Sequence, residues 1–178
     1  MKKILLILSL LILVGAGALY LLKGKSQYDP AKYSLSVTPE EKPFGVGSRI
    51  DFVLPDQFGK AHKLDPQIRT MVFAFTKATG HIIKEGLADK SDADLQKQGA
   101  VVVADISGMP TVIQNMFALP DLRKSAYTML LIYDKQMAAR LKEGQATDKV
   151  ILVRLKDRTV QKIEHAQNAK ELLEQLGL

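Results

Sequence analysis

Residues Ile4 to Leu22 form a run of 19 residues without a charged side chain, bracketed by Lys2-Lys3 and by Lys23 and Lys25. At the helical rise such a run spans about 28 Å, close to the roughly 30 Å of a bilayer's hydrocarbon core. Residues 1–25 are therefore expected to form an N-terminal transmembrane helix. A secretory signal is the alternative reading, because Ala16-Gly17-Ala18 offers the small-x-small pattern of a cleavage site. Cleavage after Ala18 would give a secreted form, but Leu19, Tyr20, Leu21 and Leu22 continue the apolar run past that point. An uncleaved, single-pass anchor is the preferred expectation. A short tail before a large domain reads as tail inside and domain exported. This places the C-terminal domain on the periplasmic side of a bacterial inner membrane.

Charge supports the same division. The net charge is +6, but four of those units come from the lysines flanking the run. Beyond Lys25 there remain 21 basic against 19 acidic residues, with no basic stripe and few aromatic side chains. The basic balance therefore belongs to a membrane flank and not to a nucleic-acid surface. Cysteine is absent, which excludes both disulfides and thiol chemistry for this chain acting alone.

Pro30, Pro39 and Pro43 and the glycines between Gly24 and Gly47 mark residues 26–45 as a tether, leaving 46–178 as one domain. Ile50, Phe52 and Leu54 alternate with Asp51 and Val53 in a short strand, and Asp56-Gln57-Phe58-Gly59 supplies a turn. Thr70–Thr76 and Ala100–Ala104 read as buried strands around a helix over His81–Gln98. Pro110 suits a helix start, and Val112, Ile113, Met116 and Phe117 give a stripe that Pro120 should end. Met109, Met116 and Phe117 are expected in the core and not at a ligand. Tyr127–Tyr133, Val150–Leu155 and Thr159–Ile163 read as strands, the last two joined by the tight turn Lys156-Asp157-Arg158. Lys135–Lys142 is a short helix. Asn168, Glu171 and Gly177 frame a closing helix whose buried face is Ala169, Leu172, Leu173 and Leu176. The expected class is α/β, with a mixed central sheet.

That order resembles the thioredoxin fold, a three-layer sandwich, and the entry segment resembles its peroxiredoxin-type branch. Gly47, Asp51, Phe52, Leu54, Asp56 and Gly59 match the branch's entry motif, with one residue more than usual between Leu54 and Gly59. The resemblance implies a Cys-x-x-Cys pair opening the helix after the first long strand, where Thr79-Gly80-His81-Ile82 stands here. It also implies a cis-proline before the third core strand, near Ser125-Ala126-Tyr127, where no proline occurs.

In open α/β sheets ligands gather at the carboxyl ends of parallel strands. On this layout that edge holds Lys77, Thr79 and His81, then Asp105, Ser107, Gly108, Met109 and Pro110, with Ser125 and Tyr127 approaching from the next strand. Gly108 could turn loop amides toward an anion, and Lys77 could add charge. Equally, Gly108-Met109-Pro110 can simply end a strand and start a helix. His81 and Glu85 suit a solvated pair better than a metal site, which needs more ligands. No metal or cofactor is expected.

Two functions remain open at this stage. One is a membrane-tethered, redox-inactive binding module for an envelope protein or small ligand. The other is a cysteine-free envelope enzyme using Lys77, His81 or Asp105.

Overall fold

The computed structural model describes Ser26 and residues 28–178. The apolar run at 4–22 lies outside the described residues, within which no helix is long and apolar enough to cross a membrane.

The chain enters through β1 (Ser34–Thr38), β2 (Arg49–Pro55) and β3 (Ala61–Lys63), both outer strands antiparallel to β2. The residues read from sequence as a tether are thus partly in the sheet, and Tyr33, Val37 and Phe44 are buried. Alternation over five residues is too short to reveal a strand whose identity depends on pairing with β2. Asp56 organises the β2–β3 turn. Its carboxylate accepts from the amides of Phe58 (2.8 Å) and Lys60 (2.9 Å), and its Oδ2 lies 2.8 Å from His62 Nε2. Burial pushes this carboxyl up, but the hydrogen bonds from His62, Lys60 and Phe58 outweigh it and hold it below its ordinary 3.8.

Next come β4 (Thr70–Ala74), α1 (Lys77–Gly86), α2 (Asp92–Lys97) and β5 (Ala100–Asp105). The single helix expected over 81–98 is therefore two. The Ser91 amide and hydroxyl both bond Asp94, at 3.0 and 2.7 Å, restarting the helix after a turn. Gly86 lets α1 lie close to the last helix, since a Cβ there would meet Ala169 O and Leu172 Cδ2 at 3.3 Å each.

The segment after β5 comprises α3 (Thr111–Ile113), a π-helical turn (Gln114–Ala118) and α4 (Leu119–Leu122). Pro120 does not stop it. Proline lacks the amide an α-turn needs, and here the preceding turn is widened so that the Leu119 amide reaches Gln114 O. Then follow β6 (Met129–Ile132), α5 (Lys135–Lys142), β7 (Val150–Lys156), β8 (Thr159–Ala166) and α6 (Ala169–Leu176). Asp157 and Arg158 carry φ of 50° and 64° in the β7–β8 turn, the left-handed pair a two-residue hairpin needs. Asn168 caps α6 by accepting from the Glu171 amide at 2.9 Å, and Gly177 ends it at φ 72°.

The strands form one open mixed sheet in the order β1-β2-β8-β7-β4-β5-β6, with β3 beside β2. β4, β5 and β6 are parallel, while β7 returns antiparallel against β4. Alternate residues feed two cores on opposite faces. Met71, Phe73, Ile151 and Val153 join β2 and α5 in one, and Val72, Leu152, Ile83, Leu95 and Leu172 pack in the other.

Candidate functional site

At the carboxyl edge of the parallel strands, α1 begins at Lys77, four residues before the His81 that the sequence suggested. Its N-cap is Thr76, so the helix opening is Thr76-Lys77-Ala78-Thr79 and not Thr79-Gly80-His81-Ile82. The Thr79 amide donates to Thr76 Oγ at 3.2 Å and the Thr76 amide to Thr79 Oγ at 3.0 Å. The two hydroxyls are 3.1 Å apart, and Thr79 is buried. Where a thiol pair would stand, two threonines close on each other as a cap.

Beside this turn, a groove of about 640 Å³ runs between α1 and the α3–α4 segment. Ala74, Ala104 and Met129 floor it, Gly80 and Ile83 form one wall, and Ile113, Phe117 and Leu122 form the other. At one end Lys84 Nζ lies 2.9 Å from both oxygens of Asp121, joining α1 to α4. Those hydrogen bonds hold the Asp121 carboxyl below its usual range. At the other end Lys142 Nζ reaches Asp105 Oδ2 at 2.8 Å and sits 5.9 Å over the Phe75 ring. The size and mostly apolar walls are those of a small-molecule or peptide site.

Two glycines on α1 differ in what they do. Gly86 is needed for packing, as above. Gly80 lines the groove, and a Cβ there would meet nothing within 4 Å. A helix-interior glycine costs about 1 kcal/mol relative to alanine. No neighbour demands it here, and the missing side chain leaves that wall of the groove bare.

Of the residues expected at the edge, Lys77, His81, Asp105, Gly108, Met109 and Ser125 line the groove. Thr79 and Ser107 are buried; the Ser107 amide donates to Asp105 Oδ1 at 2.9 Å. Pro110 is exposed as the N-cap of α3 and does not line the groove. Tyr127 is buried at the other end of the sheet, because β6 runs parallel to β5 with Asp105 beside Ile132. The strand that flanks β4 on its other side is β7, and residues 144–149 before it also lack proline. Gly108 is exposed and unstrained with open space around it, so nothing in its backbone requires glycine. Both carboxylate oxygens of Asp105 are engaged, by Ser107 and Lys142, and not by His81. Among the described residues no group of three or more His, Cys, Asp or Glu is placed to hold a metal ion.

The stripe expected in the core is turned outward: Ile113, Met116 and Phe117 are 40%, 45% and 62% exposed. Gln114 is the buried residue of that turn, donating to Ile106 O at 3.1 Å and Met109 O at 2.9 Å. The widened turn shifts the helical phase, so a periodicity count over 112–117 selected the wrong face. Lys142 was also missed, since nothing local links it to a strand end 37 residues away.

No family model and no curated protein matches the sequence. Solved structures do. A Chlorobium tepidum protein assigned as thiol:disulfide interchange protein DsbE aligns with a TM-score of 0.50 at 16% identity, over 76% of this chain and 96% of that one. The fold is thioredoxin-like. A peroxiredoxin-like protein from Aquifex aeolicus (TM-score 0.49, 11% identity, 80% of this chain and 91% of that one) belongs to the same set. So does the exposed lipoprotein thioredoxin of Streptococcus pneumoniae (0.48, 15%, 71% and 98%). At such identities the likeness is one of fold, and this thioredoxin-like chain carries none of the cysteines that thiol chemistry requires.

Proposed function

We propose that this chain is a redox-inactive, thioredoxin-like binding module, held at the periplasmic face of a bacterial inner membrane by residues 4–22. Its groove between α1 and α3–α4 takes an envelope protein segment or a small ligand. The observation that carries this reading is the apolar groove itself, whose α1 wall is left bare at Gly80, where no packing contact requires glycine. Exposed Ile113 and Phe117 beside the groove are the side chains an occupant would cover. The enzyme reading finds less support, because Asp105 is committed to Lys142 and the Ser107 amide and is not free to act as a base.

Photo-crosslinking in cells tests the module. With p-benzoylphenylalanine replacing Phe117 on the groove, discrete adducts should form; at Gln96, exposed on α2, they should not. Equal labelling at both positions, or none at either, would reject the groove as a binding site.

A further inference from the structure

Resting on that membrane-anchored binding reading, we infer that the groove holds the acyl chain of an anionic amphiphile drawn from the bilayer. Two independent observations lead there, one from charge and one from the path of the chain.

The charged residues lining the groove are Lys77, Lys84, Lys142, Asp105 and Asp121. Lys84 is paired with Asp121 and Lys142 with Asp105. Lys77 is left as the one lining ammonium without a carboxylate partner among the described residues. The complement of this surface is an apolar body with a negative head: the body against Ala74, Ala104, Ile83 and Phe117, the head at Lys77.

The chain path then selects the source. The ring of Tyr28 is stacked between Tyr133 (5.8 Å between centroids) and Tyr33 (6.0 Å), which fixes the incoming chain on the domain. Tyr133 directly follows β6, whose last residue, Ile132, lies beside Asp105 and accepts from the Ile106 amide. The stack is therefore at the same sheet edge as the mouth of the groove. Only residues 23–27 separate Leu22 from Tyr28. Fully extended, that stretch reaches about 20 Å, little more than the length of a β-strand. With residues 4–22 in the bilayer, the Tyr28 stack is kept within that distance of Leu22, and the groove opens on the membrane-proximal edge that the stack marks. Exposed Ile113 and Phe117 line the groove and offer an acyl chain an apolar surface on its way in.

The test uses the full chain, whose lack of cysteine allows a single labelled site. Phe117→Cys and Gln96→Cys variants carrying bimane are reconstituted into vesicles of phosphatidylethanolamine and phosphatidylglycerol with brominated acyl chains. The expected result is several-fold stronger quenching at position 117 than at 96. Adding Gly80→Phe, which fills the groove, should bring quenching at 117 down to the level at 96. Lys77→Gln should make quenching require about fivefold more phosphatidylglycerol, the worth of one basic residue at an anionic surface. Equal quenching at 117 and 96 overturns the inference. Strong quenching at 117 that survives Gly80→Phe overturns it too, since lipid would then touch the surface without entering. A chain that fails to float with the vesicles removes the membrane reading and this inference together. A chain that floats but shows no groove quenching removes the inference alone.

Discussion

Lys142 Nζ lies 2.8 Å from Asp105 Oδ2, so α5, which precedes β7, is tied to the end of β5 where the groove opens. The Asp105 side chain is only 5% exposed, against 35% for Lys142. Replacing Lys142 by Met leaves a nearly buried carboxylate with the Ser107 amide as its remaining partner. The expected cost is about 1–3 kcal/mol, the lower range reflecting the partly solvated lysine. Adding Asp105→Asn should recover part of it, because the neutral amide needs no counter-charge. Urea melts of the single and double variants give the coupling; a loss of only a few tenths for Lys142→Met would mean that water replaces the ammonium.

Phe117 and Leu119 are two positions apart and opposite in environment, 62% and 1% exposed. Phe117→Ala should change stability by no more than about 0.5 kcal/mol, as at other surface sites. Leu119→Ala should cost roughly 2–5 kcal/mol through lost contacts and a cavity. Denaturant melts settle the comparison. Comparable losses would show that Phe117 is packed.

Asp56 gives the fold an acid sensitivity of known sign. Its folded carboxyl titrates below the unfolded value of 3.8, so its contribution to stability is fully present above that value. The contribution disappears as pH falls through the folded value. Glu164 behaves alike: hydrogen bonds from Lys162 and Arg154, opposed by burial, hold it below 4.5. Asp56→Asn should therefore be less stable than the wild type at neutral pH, and the gap should narrow below pH 3.8. A constant gap from pH 7 to pH 2.5 would contradict this.

Much of the fold could be read locally. The buried strands are short apolar runs, and Asn168 with Gly177 frames α6 by side-chain chemistry visible in the sequence. Legibility failed where distant neighbours decide. β1 exists because β2 offers its edge. Ile113 and Phe117 form an apolar stripe whose period is helical, but period does not tell whether anything covers the face. The candidate edge was located from strand polarity through Lys77, His81, Asp105, Gly108 and Met109, while Lys142 and Gln114 came from elements whose approach no local pattern encodes. In the sequence Gly80 stands only where the resemblance puts a cysteine pair, since its place in the groove wall depends on the space beside it.

The groove's role as a ligand site is tested most directly by native mass spectrometry of the full chain released from its own membranes, with Gly80→Phe alongside. A ligand groove requires the wild type to carry a bound molecule, protein segment or amphiphile, that the variant lacks. It also requires the variant to stay folded by its melt, since an added Cβ at this position meets nothing within 4 Å. An identical bound complement in both proteins would contradict the groove as the site.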